Sequence, residues 1–482
     1  MLFNSFQFLI FLPVVFLLYW FVFRQRRWQN LLVVLASYVF YGWWDWRFLG
    51  LIALTSTCSY VSGLLIERFE GQRGRQRMVS AANIVLNLLI LGYFKYFNFF
   101  VENLDLLLQS VLGYHLDWVT AEIILPVGIS FYTFQALSYT IDVYRGRIAA
   151  THDVVEFFAY ISFFPQLVAG PIERATNLLP QFQQSRTFDY GRAVDGLRQM
   201  FWGFFKKLVV ADNCAMVVNL TWGKYDVVSG ADLFLLGVSF SLQIYCDFSG
   251  YSDIAIGCAR LFGFNLMRNF NYPYFSRNIP EFWRRWHISL TSWFRDYIYI
   301  PLGGNRCSRG RMISNVLIVW AISGLWHGAN WTFICWGLYH AVLLVIYNLL
   351  GINTKRKPVV AFGRWLPTWR EALQMIITFA LAVIGWIIFR CEDMTEAYHF
   401  LSRMFTTMFD SMPVVFGKKA LILGCVVIVV EWLQRGKQHG LQLSSTHGVF
   451  RYSVVRYLLY ATLLVVMFFF AGEVQTFIYF QF

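Results

Sequence analysis

One histidine of this chain lies where an ionisable side chain is unexpected. His327 belongs to the segment Ser323-Gly-Leu-Trp-His327-Gly-Ala-Asn330, and residues 313–354 include no Asp, Glu, Lys or Arg. About 20 apolar residues are enough to cross a lipid bilayer. Ionisable groups inside such spans are costly and usually mark a pathway or a reaction centre. We therefore predict a chemical role for His327.

A neutral imidazole at this position is suited to general-base catalysis. Burial disfavours the charged form of histidine, and a positioned base typically accelerates a reaction about 10²–10⁴-fold. Counted from Ile313 at 1.5 Å per residue, His327 lies about 21 Å along a helix. That is past the middle of a hydrocarbon core of about 30 Å. A packed histidine that is hydrogen-bonded to a neighbouring helix is the alternative interpretation.

A second histidine, His287, lies in a polar and aromatic stretch over residues 273–311. Apolar side chains recur there at steps of three and four, at Trp283, Trp286, Leu290, Trp293 and Tyr297. This spacing predicts one apolar face of a helix that lies in or near the membrane interface. His287 falls at the border of that face. An interfacial residue without a catalytic part is one interpretation of His287.

Arginines stand close to both histidines in the sequence. Arg284 and Arg285 precede His287 directly, and Arg306, Arg309 and Arg311 precede the span of His327. Guanidinium groups make charge-assisted hydrogen bonds to phosphates. We predict that Arg284 and Arg285 bind the phosphates of a substrate. Anchoring of an interfacial helix is the alternative.

The composition is that of a protein that crosses a membrane several times. Of 482 residues, 58% are hydrophobic and 14% are charged, whereas soluble domains carry about 25% charged residues. The mean hydropathy is +0.51. The net charge of +13 comes from basic clusters between apolar segments, as at residues 24–27 and 73–77, which is the positive-inside pattern. We expect a lipid bilayer as the surroundings and no nucleic-acid partner.

The apolar segments predict an all-α fold of roughly 11 to 13 transmembrane helices, with re-entrant and interfacial helices around a central tunnel. The alternating pattern of membrane β-strands is absent. Helices are therefore the remaining way to satisfy the backbone in lipid. The basic loops place the N-terminus outside the cytoplasm. We predict one domain over residues 1–482, with a catalytic core at approximately 120–350.

Three stretches interrupt the regular pattern of spans. Residues 163–171 contain two prolines and a glycine, which predicts a re-entrant element. Residues 245–253 carry Asp247, Asp253 and a glycine inside an apolar segment, which predicts an interrupted helix. The third stretch is residues 273–311. The eight cysteines are scattered without a metal-binding spacing, so no metal site is predicted.

Eight short motifs then occur in order along most of the chain. They are Phe164-Pro-Gln-Leu-Val-Ala-Gly-Pro171, Tyr245-Cys-Asp-Phe-Ser-Gly-Tyr-Ser-Asp253, Asn271-Tyr-Pro-Tyr274, Glu281-Phe-Trp-Arg-Arg-Trp-His287, Trp293-Phe-Arg-Asp-Tyr297, Pro301-Leu-Gly-Gly-Asn305, Trp326-His-Gly-Ala-Asn-Trp331 and Gly385-Trp-Ile-Ile-Phe-Arg390. Together they resemble the membrane-bound O-acyltransferases, specifically the branch of alginate O-acetyltransferase membrane subunits.

The resemblance implies a multi-pass enzyme of the bacterial inner membrane. It implies that His327 is catalytic and that His287 assists it. The implied donor is acetyl-CoA from the cytosol, with no bound cofactor. The implied partner is an extracytoplasmic acetyltransferase similar to SGNH hydrolases, which passes the acetyl group to a polysaccharide. We further predict donor-binding or tunnel-lining roles for seven residues: Trp283, Trp326, Ser323, Asn330, Asp247, Tyr251 and Tyr297.

Two other functions remain open from the sequence. Transfer of D-alanyl or another acyl group to a cell-wall polymer would use the same motifs. A polysaccharide or lipid transporter, or a flippase, would also have many spans and broken helices. Loss of acyl transfer on substitution of His327 would separate the enzyme from the transporter.

Overall fold

A computed structural model describes residues 1–115, 123–168, 170–352, 359–444, 448–473 and 475–478. Every regular element in these ranges is a helix, which confirms the predicted all-α class. The chain divides into two compact units. The first comprises residues 1–193 and 258–267, and the second comprises residues 194–257 and 268–482. The prediction of one domain over the whole chain stays a prediction.

The described part of the first unit contains nine α-helices, with α3, α4, α6 and α7 packed together. The helices are α1 (Phe6–Leu17), α2 (Arg26–Gly42), α3 (Leu49–Arg68), α4 (Arg73–Leu91), α5 (Phe97–Leu112), α6 (Ile129–Tyr144), α7 (Val154–Ser162), α8 (Phe164–Leu167) and α9 (Ala175–Gln183). The chain bends at Phe163 between α7 and α8, where ψ is 105°. The helix is thus interrupted in the proline-containing stretch, and the predicted re-entrant element stays a prediction. Ala169 of that motif lies outside the described residues.

The second unit contains eleven α-helices among its described residues, of which α10 and α12 extend across the unit boundary. They are α10 (Tyr190–Phe205), α11 (Asp212–Thr221), α12 (Gly230–Leu261), α13 (Ile279–Trp283), α14 (Ile288–Phe294), α15 (Arg309–His327), α16 (Trp331–Leu349), α17 (Trp369–Arg390), α18 (Met394–Thr406), α19 (Lys418–Leu433) and α20 (Ser453–Phe470). A π-helical turn, Lys206–Ala211, joins α10 to α11.

Six described helices are long and apolar enough to cross a membrane, which supports a polytopic protein. Their bounds are Trp46–Arg68, Arg73–Leu112, Gly230–Leu261, Trp331–Leu349, Trp369–Arg390 and Ser453–Phe470. No residue of α20 is buried, and a helix that is apolar all round needs an apolar environment. The count of 11 to 13 spans stays a prediction, because shorter helices such as α2 and α6 fall below the length of a full crossing.

The predicted interruption at residues 245–253 is wrong. Helix α12 runs unbroken through this stretch for 32 residues. Its Gly250 serves close packing, because an added Cβ would come within 2.8 Å of the Gly203 carbonyl oxygen on α10. Its two carboxylates are neutralised by lysines of the neighbouring helix. The polar pattern therefore reflects pairing between helices and not a break.

The prediction of one helix across Trp283 to Tyr297 is also wrong. Helix α13 ends at Trp283, and α14 begins only at Ile288. Between them, His287 has a left-handed backbone with φ 43° and ψ 53°. This conformation is uncommon outside glycine, although histidine adopts it more often than most residues. The apolar spacing therefore continues across a turn that the periodicity does not reveal.

Candidate active site

A cavity of about 720 Å³ in the second unit has both predicted catalytic histidines in its wall. Its lining comes from the segment that contains α13 and α14 and from helices α15 and α16. Ser323, one turn before His327 on α15, also lines it. This volume lies within the range of about 300–1,000 Å³ that small-molecule sites usually have. The fold thus brings His287 and His327 to one chamber.

His287 is held by an amide and by aromatic rings. Its Nδ1 lies 3.1 Å from Oδ1 of Asn269. Phe248 packs edge-on against the imidazole at 4.7 Å between ring centroids. Only 1% of His287 is exposed, and burial lowers the pKa of His287 to about 3. The side chain, which lies outside the six long spans, is therefore neutral at physiological pH.

His327 is the last residue of α15 and packs among aromatic side chains. Its ring lies 5.0 Å from Trp336 and 5.3 Å from Phe389, measured between centroids, and it is 5% exposed. The position depends on the close approach of α15 and α16. A Cβ added to Gly324 would collide with the carbonyl oxygen of Phe333. A glycine one turn before His327 therefore sets how near the two helices lie.

Trp326 contacts the rings of both histidines. The indole centroid lies 6.1 Å from that of His287 and 5.0 Å from that of His327, with steep interplanar angles in each case. An aromatic ring between the two imidazoles restricts the orientation of each. Trp326 itself is not part of the cavity lining, so its predicted site role becomes one of packing against the two histidines.

The two neighbouring arginines differ in surroundings although both line the cavity. Arg284 is exposed. Arg285 is buried, and its Nη2 lies 2.8 Å from Oε1 of Glu281. Arg277 pairs with the same carboxylate at 3.0 Å. Burial opposes ionisation of Glu281, but the hydrogen bonds from Arg277 and the charge of Arg285 outweigh it and lower the pKa of Glu281.

Further polar groups line the outer part of the same wall. Arg295 is exposed and pairs with the adjacent Asp296 at 2.6 Å. Tyr299 and Asn305 also line the cavity and are hydrogen-bonded to each other. Arg295 was not identified from the sequence. Its position directly after α14, in an arginine-rich segment, could have indicated that Arg295 lies near the site.

Trp283 lines the cavity, and contacts with two other side chains hold its indole ring in place. Its Nε1 donates a hydrogen bond to Nδ1 of His340 at 3.3 Å. Its ring also packs against Trp320 at 4.5 Å between centroids. His340 is fully buried, which agrees with a structural role for this third histidine. Trp283 is thus a rigid part of the wall.

Four other predicted site residues do not line this cavity. Asn330 caps α16 by accepting a hydrogen bond from the Thr332 amide at 3.0 Å. Tyr297 packs against Trp293 with tilted rings, and Tyr251 packs against Phe477. Asp247 accepts a hydrogen bond from the Ile478 amide at 2.8 Å and pairs with Lys207. Their predicted contribution to donor binding or to a tunnel remains a prediction.

A buried network of charges lies on α12 and the π-helical turn. Lys206 Nζ lies 2.7 Å from Asp253 and 2.8 Å from the Ser249 hydroxyl. Lys207 Nζ lies 2.8 Å from Asp212 and 2.9 Å from Asp247. The sequence indicated such a network, because lysines and carboxylates lie inside apolar segments. The pairing between helices, however, requires the tertiary structure.

A search of the described ranges finds no group of three or more His, Cys, Asp or Glu side chains placed to hold a metal ion. The candidate site therefore consists of two imidazoles, several hydroxyl groups and guanidinium groups around a cavity. Such a set provides a proton acceptor and partners for an anionic ligand.

The sequence matches the membrane-bound O-acyltransferase family over residues 38–389. This range contains every residue of the candidate site described above. The match agrees with the resemblance stated from the eight motifs.

Three curated proteins illustrate the range of relatives. A "probable alginate O-acetylase AlgI" of Pseudomonas aeruginosa is 43% identical over 84% of this chain and 75% of its own length. A peptidoglycan O-acetyltransferase of Helicobacter pylori is 34% identical over 84% of this chain and 80% of its own length. A teichoic acid D-alanyltransferase of Bacillus subtilis is 31% identical over 55% of this chain and 68% of its own length.

Proposed function

The chain belongs to the membrane-bound O-acyltransferase family, and from this premise we propose that it transfers an acetyl group from acetyl-CoA for O-acetylation of an extracytoplasmic polysaccharide such as alginate. The observation that carries the proposal is that His287 and His327 line one cavity together with arginines. The relatives that are 43% and 34% identical are named as O-acetylating enzymes.

The proposed reaction is acyl transfer from a thioester to a hydroxyl. The neutral imidazole of His327 takes the proton of the attacking hydroxyl, and the oxygen forms a bond to the thioester carbonyl carbon. The carbon–sulfur bond then breaks, and the thiolate takes the proton from the imidazolium to leave as a thiol. His287 is the second catalytic residue. General-base assistance of this kind is worth about 10²–10⁴-fold.

We propose that the donor enters from the cytoplasmic side. In this topology the N-terminus lies outside the cytoplasm, and the protein resides in the bacterial inner membrane. The exposed Arg284 is placed to bind the donor's phosphates at the cavity. Acetyl leaves toward an extracytoplasmic partner similar to SGNH hydrolases, which transfers it to the polysaccharide.

The decisive experiment measures acyl transfer by the full chain in lipid nanodiscs. Wild-type protein with acetyl-CoA and a hydroxyl acceptor is expected to release free CoA thiol. His327→Ala is expected to lower kcat at least about 100-fold, as for loss of a general base, with unchanged expression. His439→Gln removes another buried histidine that does not line the cavity and serves as the matched control. Undiminished turnover in His327→Ala would refute the proposal.

Transfer of D-alanine is the second candidate function. The observation that favours it is the 31% identity to a teichoic acid D-alanyltransferase. Turnover assays with each of the two donors separate the two functions. Release of thiol from acetyl-CoA supports acetylation, whereas turnover only with a D-alanyl thioester of a carrier protein supports the second function.

A further inference from the structure

We propose that Asn269 is a positioning residue that holds His287 in the tautomer with the proton on Nδ1 and the lone pair on Nε2. The inference rests on the proposed function, because it explains how His287, the second catalytic residue, keeps a hydrogen-bond acceptor at Nε2 during acyl transfer. It assigns a role to a residue that lies outside the cavity wall and touches no substrate.

The orientation of the Asn269 amide follows from its fixed donor. The backbone N–H of Ser289 lies 3.3 Å from the Oδ1 position of Asn269, and a backbone N–H only donates. The atom that it meets is therefore the amide oxygen. The amide nitrogen faces the other way and donates to the Ser252 hydroxyl at 3.2 Å. The oxygen and the nitrogen of the Asn269 amide therefore each have a partner that fits this orientation.

The tautomer of His287 follows from that oxygen. Nδ1 of His287 lies 3.1 Å from the same Oδ1, and an amide oxygen only accepts. Nδ1 must therefore carry the proton. In a neutral imidazole, the other ring nitrogen is then the acceptor. The partner of one ring nitrogen sets the chemistry of the other, which is the usual way in which proteins fix a histidine tautomer.

Asn269 also fixes the backbone on which the imidazole is carried. Its carbonyl oxygen accepts a hydrogen bond from the Ile288 amide at 2.9 Å, and its side chain accepts from Ser289. These bonds hold the residues directly after His287, where the chain has a left-handed conformation. One asparagine thus controls both the direction of the His287 side chain and the protonation of its ring.

Asn269 is itself rigidly placed. It is completely buried and is tied through Ser252 to α12. The neighbouring Asp253 of α12 pairs with Lys206 at 2.7 Å. The rings that contact His287, those of Phe248, Phe270 and Trp326, carry no charge. The titratable or charged groups that share its cavity wall are His327, Glu281, Arg284, Arg285, Arg295 and Tyr299.

The test compares Asn269→Ala, Asn269→Asp and wild type in nanodiscs. Asn269→Ala is expected to lower kcat about 10- to 100-fold, the usual effect of removing a partner that orients a functional histidine, with little change in donor KM. Asn269→Asp keeps an acceptor for Nδ1–H and places a negative charge beside it, which favours the imidazolium. It is therefore expected to retain kcat at high pH and to move the acidic limb of the pH profile upward.

Asn315→Ala is the matched control. Asn315 is also completely buried, and its amide donates to the Leu302 carbonyl. Its loss is expected to lower thermal stability without changing the pH profile. If Asn269→Ala does not fold, Asn269→Asp carries the test alone. A pH profile of Asn269→Asp that coincides with that of wild type would overturn the inference.

A second measurement needs no acyl donor. Hydrogen–deuterium exchange at Cε1 of His287, followed by mass spectrometry across pH, reports the protonation midpoint of this ring. Asn269→Asp is expected to raise that midpoint, and an unchanged midpoint would refute the role of Asn269. If wild type transfers no acetyl group, the proposed function fails and the exchange experiment still decides the inference.

Discussion

Substitution of two adjacent arginines by glutamine is expected to affect two different properties of the protein, namely donor binding and stability. Arg284→Gln removes an exposed guanidinium that lines the cavity. Arg285→Gln removes a buried one that pairs with Glu281 at 2.8 Å and donates to the Asn271 carbonyl at 3.2 Å. We expect the first change to weaken donor binding and the second to destabilise the fold around His287.

The magnitudes follow from burial and from the remaining partners. Breaking a buried ion pair by removal of one member costs about 3–5 kcal/mol. Arg277 still pairs with Glu281 in the variant, so the loss approaches that of a hydrogen bond to a charged group, about 2 kcal/mol. Arg284→Gln is expected to change stability by less than about 0.5 kcal/mol, as for most exposed positions. Loss of one phosphate contact raises donor KM about tenfold, which corresponds to about 1.4 kcal/mol.

Two measurements on the same nanodisc samples separate the effects. Thermal unfolding monitored by tryptophan fluorescence gives stability, and the rate of thiol release against acetyl-CoA concentration gives KM and kcat. Arg370→Gln, a change at an exposed arginine outside the cavity, controls for loss of surface charge. A stable Arg285→Gln with a raised KM, or an unstable Arg284→Gln, would show that the assignment of the two arginines is reversed.

Three further substitutions test residues that support the structure around the site. Lys206→Met removes the buried lysine that pairs with the half-buried Asp253 and is expected to destabilise the protein by up to about 3 kcal/mol, the lower end of the cost of breaking a buried ion pair, whereas the double variant with Asp253→Asn recovers much of that loss in thermal unfolding. The pKa of Glu281 is lowered below its usual 4.5, so its ion pairs stabilise the protein above that pH and the effect disappears as pH falls through the folded-state pKa. The difference in melting temperature between wild type and Glu281→Gln should therefore shrink in acid, and a constant difference would contradict the assignment. Gly324→Ala forces α15 away from Phe333 and is expected to lower kcat more than it lowers the yield of folded protein.

Much of the site was predictable because it depends on local sequence. The absence of charge around His327 identified that residue, and motif order identified His287. Both were predicted as site residues, and the structure brings them to one cavity. The fold class followed from composition, since 58% hydrophobic residues without the alternation of membrane strands leaves helices as the remaining choice.

The errors arose where tertiary contacts override local pattern. The carboxylates at Asp247 and Asp253 suggested a break in α12, but lysines of the π-helical turn neutralise them and the helix continues. Conversely, the regular spacing from Trp283 onward suggested one helix, whereas the chain turns at His287. Periodicity records which side chains are buried, and it does not record whether the backbone between them is helical.

The turn at His287, where a continuous helix had been predicted, has a consequence for function. A histidine inside a continuous helix would have the direction of its side chain set by the helix geometry. In the left-handed conformation, the ring instead meets Asn269, which lies 18 residues earlier in the chain. The loop that carries Asn269 can then determine the protonation of His287 without occupying the cavity. The departure from the helical pattern is thus the feature that allows a residue outside the cavity wall to control the acceptor nitrogen of His287, and the pH dependence of Asn269→Asp measures that control directly.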